Sequence, residues 1–282
     1  MSECSHDCAS CGENCAQRNK PQSLPEKLNP HARVQKVIAV CSGKGGVGKS
    51  MITALLAAAA QKKGLNAGIL DADITGPSIP KMFGVHERAT GDQSGIYPVV
   101  SAGGVQLMSL NLLLDNETDP VIWRGPLITG TVKQFWTEVV WDDVDILFVD
   151  MPPGTGDTTL TVFQSLPVDG IVFVATPQEL VGMIVQKAVN MARAMQLPLC
   201  AWVENMSYFV CPDCGKRQEI FGRSRAEELA RQFAIPVTAR LPLNAELAAA
   251  ADRGGIEGLN PSELGPVLQA LEQLRKQPAP AV

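Results

Sequence analysis

The segment that most constrains this chain of 282 residues is Gly43–Ser50, GKGGVGKS, because of what flanks it. A short apolar run, Val37–Cys41, leads straight into it, and a helical pattern from Lys49 to Lys63 follows. The spacing G-x-x-x-x-G-K-S/T between a strand and a helix describes a loop that wraps a polyphosphate. Gly43, Gly45, Gly46 and Gly48, with Val47 between them, let consecutive backbone N–H groups curl inward. The helix that begins there adds its positive dipole end. Lys49 is positioned to reach the β- and γ-phosphates, and the Ser50 hydroxyl to ligate Mg²⁺.

A loop of this kind needs a sheet behind it, and the rest of the chain supplies the pattern. Short apolar strands are expected at 68–70, within 99–112, at 146–149, 171–175 and 199–204. Helices are expected at 127–140, 158–166, 178–195, 223–233, 244–251 and 262–276. This alternation predicts an α/β fold, a mostly parallel twisted sheet with helices on both faces. The predicted organisation is one domain over 34–276, a polar cysteine-rich tail over 1–33 punctuated by Pro21, Pro25 and Pro30, and a frayed end at 277–282.

Composition narrows the function. Apolar residues at 45% and charged residues at 19% exclude wholesale disorder. A net charge of −5 with only 5% aromatics argues against a nucleic-acid face, which needs clustered cations and stacking platforms. The apolar runs fall well short of a membrane span, and the N-terminus lacks the apolar core of a secretory signal. The expectation is a cytoplasmic protein that does not engage membranes. In that reducing compartment eight cysteines point to metal or redox chemistry rather than disulfides.

Carboxylates fall where the phosphate loop needs them. Asp150 closes the strand ILFVD, and Asp71 and Asp73 follow another strand in DADITGPS. Strand-terminal carboxylates lie at the sheet edge where open α/β folds bind ligands, and Mg²⁺ prefers such oxygen donors. Asp150 is the expected metal-side acid, acting through water, with Asp71 supporting its shell. Gly154, in MPPGTGD, resembles the switch II glycine of related NTPases, a resemblance that implies an N–H offered to the γ-phosphate. Asn205, expected at the end of a strand, carries an amide suited to the adenine edge, or to forming a turn.

Six residues after Asn205 comes CPDC, Cys211–Cys214. Two thiolates grip one edge of a metal site but cannot complete a four-coordinate one. The same pair from a second chain would complete it; half a zinc ribbon, a redox pair or two inert thiols are the alternatives. Cys4, Cys8, Cys11 and Cys15 could hold a 4Fe–4S cluster or zinc within the tail, with His6 able to replace one thiol. Cys41 and Cys200 lie at strand positions and read as buried fillers.

Lys44, the second lysine of GKGGVGKS, resembles the signature lysine of the MinD/ParA-like ATPases. GKGGVGKS, WRGP at Trp123–Pro126, DMPPGTGD, TPQE at Thr176–Glu179 and ENMSYFVCPDCG together resemble the Mrp/Nbp-type (ApbC-like) iron–sulfur carrier ATPases of that superfamily. That resemblance implies a P-loop NTPase domain and a homodimer in which Lys44 touches nucleotide across the interface. It further implies that Asp73 positions the attacking water and that Asn205 recognises the base. Cys211 and Cys214 would hold a bridging 4Fe–4S cluster for apo iron–sulfur proteins, with slow ATP hydrolysis modulating transfer. Two rivals stand beside it: a ParA/MinD-like positioning ATPase, and a cluster-bearing ATP-gated reductase. The paired CxxC separates the chain from both, and the mixed charges of 263–276 suit a packed helix better than a lipid anchor.

Overall fold

Strand β1 (Val34–Ser42) shows why the chain folds around its phosphate loop. Val37, Ala39 and Cys41 face one apolar core while Ile38 and Val40 face another, so the strand can be satisfied only at the centre of a sheet covered on both sides. The structure is a computed structural model that describes residues 26–274 apart from 75, 77, 115–124, 155–156 and 178–180. Cys4, His6, Cys8, Cys11 and Cys15, Trp123 and Arg124, and Gln178 and Glu179 therefore lie outside the described residues.

After β1 come α1 (Lys49–Lys62), β2 (Ala67–Asp71) and the single turn α2 (Ile79–Met82). A small antiparallel hairpin, β3 (Thr90–Asp92) with β4 (Gly95–Tyr97), precedes β5 (Val99–Val100) and β6 (Gln106–Met108). The chain continues through α3 (Gly125–Thr137), β7 (Val144–Asp150), α4 (Asp157–Ser165), β8 (Gly170–Ala175) and α5 (Val181–Ala194). Then follow β9 (Leu199–Val210), β10 (Arg217–Gln218), α6 (Ala226–Phe233), β11 (Val237–Pro242), α7 (Ala245–Asp252) and α8 (Gly265–Gln273). Among the described residues the main sheet runs β10–β9–β8–β1–β7–β2–β6–β5, with β11 also paired to β9. All its pairs are parallel except β5 with β6 and β9 with β10, the α/β architecture expected from the sequence. Helices α3, α4, α5 and α6 cover one face, packing over Phe173, Trp141 and Trp202; α1, α7 and α8 cover the other.

Several elements differ from the sequence reading. β9 does not stop at residue 204 but continues to Val210, because β11 pairs along it as far as Tyr208. β11 itself has no counterpart in that reading: its weak alternation buries only Ala239 and Leu241, and pairing with β9 holds it in place. The helix expected from 127 to 140 ends at Thr137, after which Val140 donates to the Ile96 carbonyl. The last helix opens at Gly265 after a 3₁₀ turn over Ser262–Leu264, with Pro266 in its first turn, where a missing N–H costs nothing. The stretch before β1 is anchored from Glu26 onward: the Glu26 N–H donates to Ser165 O at 2.8 Å, and Trp136 Nε1 donates to Glu26 O at 2.9 Å.

Candidate functional site

The order of strands decides where the site sits. β1, β7 and β2 are adjacent and parallel, so their C-terminal ends carry the phosphate loop, Asp150 and Asp71 side by side; Asp71 is in register with Asp150. This is the edge at which open α/β sheets take ligands. The loop after β1 turns through left-handed Gly46 (φ 77°) and Gly48 (φ 82°), conformations that an L side chain resists. Ser42 Oγ donates to Lys44 O at 3.0 Å, tying the loop's entry, while Lys44, Gly45 and Gly46 are exposed.

At the start of α1, Lys49 is 6% exposed, with Nζ 2.7 Å from Asp150 Oδ1 and 3.7 Å from Asp73 Oδ2. Ser50 Oγ donates to Asp150 Oδ2 at 2.5 Å. Thr53 Oγ1, one turn on, lies 2.9 Å from Asp150 Oδ1 and 3.0 Å from Lys49 O, sharing its single proton between the two acceptors. The motif alone does not single out Thr53, although it is the polar break in an otherwise apolar helix, one turn after Lys49. Asp71 is fully buried. Its Oδ2 accepts from Ser109 Oγ at 3.0 Å and its Oδ1 from the Asp73 N–H at 3.1 Å. Burial first, then the neighbouring Asp150 charge, pushes the Asp71 carboxyl well above the usual carboxylate range, against the pull of Lys49. Ser109 carries no motif signal; only the pairing of β6 with β2 brings it there.

A cleft of about 210 Å³ opens over this cluster, lined by Lys44, Gly45, Gly46, Gly48, Lys49, Ser50 and Asp73, with Met51, Met82 and Pro153 along its apolar side. Glycine backbone, one buried lysine, a hydroxyl and carboxylates form a donor set that suits a nucleotide phosphate with a hard divalent cation. Lys49 and the loop N–H groups would hold the phosphates; Ser50, with Asp150 behind it, would serve the cation.

One expectation changes, and a second residue is engaged within the chain. Asn205 is not at a strand end: it lies within β9, is 1% exposed, and donates Nδ2 to Val47 O at 2.9 Å. A Cβ placed on Gly48 would lie 2.3 Å from that Nδ2, so the amide packs directly beneath the loop. The extension of β9 produces the change, because it carries Asn205 inside the sheet. The Gly154 N–H, expected on the γ-phosphate, is donated to Ser42 O at 2.9 Å.

The two-cysteine segment lies on the turn between β9 and β10. The Cys211 N–H donates to Lys216 O at 3.1 Å, and the Gly215 N–H to Cys211 O at 2.9 Å, with Gly215 at φ 67° closing the turn. Cys211 is half-buried and Cys214 exposed. Backbone N–H groups of Cys214 and then Asp213, with the Cys214 side chain after them, hold the Cys211 thiol below its ordinary value. By contrast, burial pushes the Cys41 thiol up to about 12, and Cys200 is also raised by burial. Among the described residues no group of three or more Cys, His, Asp or Glu forms a metal site, so Cys211 and Cys214 stand as a two-ligand edge.

Residues 33–276 match the family model described as NUBPL iron-transfer P-loop NTPase, under the heading ParA. An iron-sulfur cluster carrier protein of Clostridium perfringens is 43% identical over 265 residues, covering 89% of this chain and 93% of that protein. One from Methanocaldococcus jannaschii is 41% identical over 260 residues, covering 90% of each. A solved nucleotide-binding protein in complex with ADP, from Archaeoglobus fulgidus, superposes with a TM-score of 0.75 at 40% identity, over 86% of this chain and 93% of that one. The cell division ATPase MinD of Pyrococcus furiosus shares the fold, with a TM-score of 0.59 at 17% identity, over 84% of this chain and 97% of that one. The chain belongs to the ParA group of NUBPL-type iron-transfer P-loop NTPases.

Proposed function

We propose that this protein carries 4Fe–4S clusters to apo iron–sulfur proteins, with ATP binding and slow hydrolysis at the phosphate loop modulating transfer. The observation that carries the reading is the Cys211–Cys214 turn. It presents two thiols at the surface on a backbone that already favours thiolate at Cys211, and the thiolate is the form that binds iron. Two thiolates are half of a cluster's ligand set. A homodimer would supply the other half from the second copy, and each half would release the cargo when the interface opens. The carrier names of the relatives at 43% and 41% identity support an iron–sulfur cargo.

At the loop, Lys49 neutralises phosphate charge, Ser50 and Asp150 serve Mg²⁺, and Asp73 orients the attacking water. Phosphoryl transfer asks for positioning and charge compensation more than covalent chemistry, and these groups provide both. Lys44, exposed at the rim of the cleft, reaches a nucleotide held by the second copy. Cys4, Cys8, Cys11 and Cys15 hold a second cluster or zinc. The protein works in the cytoplasm; no helix among the described residues is long and apolar enough to cross a membrane.

The test is anaerobic reconstitution with iron and sulfide, followed by transfer to an apo 4Fe–4S protein. The wild type should bind about four iron and four sulfide per dimer at this site, beyond any metal held by the tail. Replacing both Cys211 and Cys214 by Ser should remove that portion and the transfer. Unchanged cluster content and transfer in the double variant would end the carrier reading.

A further inference from the structure

The phosphate loop and the two-thiol turn are joined by one strand, and that strand is not regular. Asn205 in β9 donates Nδ2 to Val47 O of the loop, and its buried Oδ1 has no hydrogen-bond partner among the described residues. Met206, the next residue, adopts φ 55°, a left-handed conformation rare for such a side chain and out of place in a strand. The pairing of β11 with β9 shifts register beside it, between Arg240 and Pro242. Four residues past this kink the strand ends, and Cys211 follows.

A polar clamp straddles the kink. Glu204 lies before it and Ser207 after it, both buried, and Ser207 Oγ donates to Glu204 Oε1 at 2.6 Å. Arg240, from β11, donates Nε to Ser207 Oγ at 2.8 Å and sits 3.7 Å from Glu204 Oε1. Its Nη2 donates to Glu219 at 2.9 Å, one residue beyond β10, the returning strand of the cysteine turn. Arg217 of β10 stacks its guanidinium 4.6 Å from the centre of the Tyr208 ring. Arg240 thus ties both strands leading to the thiols to the point where β9 meets the nucleotide loop. Arginine suits this task because its planar fork can bond several partners at fixed angles.

We propose that Arg240 is a positioning residue that, through the Glu204–Ser207 clamp across the Met206 kink, couples the state of the phosphate loop at Asn205 to the geometry of the Cys211–Cys214 turn. The proposal rests on the carrier reading for its purpose, but its test does not need a cluster. A nucleotide that moves Val47 changes the only hydrogen bond described for the Asn205 side chain. β9 carries that change past the clamp, which keeps the cysteine turn in step instead of letting it swing independently.

The experiment measures iodoacetamide alkylation of Cys211 and Cys214 by peptide mass spectrometry, on the full reduced chain, with and without Mg·ATP. Nucleotide binding is followed in parallel. In the wild type, saturating Mg·ATP should change the Cys211 rate by about fivefold, the low end of coupling between sites. Arg240→Ala and Ser207→Ala should bring that ratio close to one while ATP affinity stays within about twofold of wild type, a change of less than about 0.5 kcal/mol. Arg240→Lys, which retains charge but not the fork, keeps the test decisive should the alanine variant not fold, and should also lose most of the coupling. A wild-type-sized ratio in folded Arg240→Lys and Ser207→Ala would overturn the proposal. So would a ratio of one in wild-type protein that binds Mg·ATP; cluster loading, measured separately on the same protein, then decides whether the carrier reading stands. Coupled thiols in a wild type that fails to hold a cluster would instead strike the carrier reading alone.

Discussion

Lys49 Nζ lies 2.7 Å from Asp150 Oδ1, with the two side chains 6% and 1% exposed. The Lys49 ammonium is therefore held on a carboxylate, and a phosphate that is to bind it would have to draw it away. A buried ion pair contributes little net stability, but losing one partner is costly, because the other charge is left uncompensated.

Lys49→Ala leaves Asp150, Asp73 and Asp71 without their shared cation. Urea unfolding should show a loss of about 3 kcal/mol, and ATP hydrolysis should fall to background. Hydrolysis at the wild-type rate in this variant would remove the loop from the mechanism.

Asp71 gives a pH signature. Its carboxyl binds a proton more tightly in the folded chain than in the unfolded one, because burial and Asp150 raise it. Above the unfolded carboxylate value of about 3.9, stability therefore falls as pH rises towards the raised folded value. Asp71→Asn mimics the protonated form and should flatten this decline, making the variant the more stable protein at the alkaline end. Urea midpoints at a series of pH values measure it, and an unchanged slope would contradict the assignment.

The described thiols should separate by reactivity. Cys211, held low by backbone N–H groups and partly accessible, should alkylate ahead of Cys41, whose thiol stands at about 12. At a pH of about 8 a thiol of that value is almost wholly protonated and inert. Peptide mapping after brief iodoacetamide exposure should find Cys41 and Cys200 modified only once the protein is unfolded; early labelling of Cys41 would refute this ordering.

Two loop glycines should respond unequally. Gly48 has φ 82°, and a Cβ there would meet Asn205 Nδ2 at 2.3 Å, whereas a Cβ on Gly45 meets nothing within 4 Å. Gly48→Ala should cost about 1–3 kcal/mol of stability and weaken ATP binding, while Gly45→Ala should change stability by less than about 0.5 kcal/mol. Thermal unfolding with and without Mg·ATP reads both.

Much of this protein is written locally. The loop Gly43–Ser50, the strands ending at Cys41 and Asp150, and the CPDC spacing are short-range patterns, because left-handed glycine turns, strand period and thiol spacing each depend on a few neighbouring residues. They are enough for the α/β class and for the family resemblance. Everything set by partners distant in sequence needs the tertiary structure. β11 has too weak a pattern to be seen alone and forms only against β9. That pairing carries β9 to Val210, buries Asn205 under the loop, and brings Arg240 to Ser207. Ser109 meets Asp71 for the same reason, through the pairing of β6 with β2. Local spacing determines which side chains a segment can present; which of them meet is settled by long-range strand pairing, where burial and register outweigh the preference of any single residue.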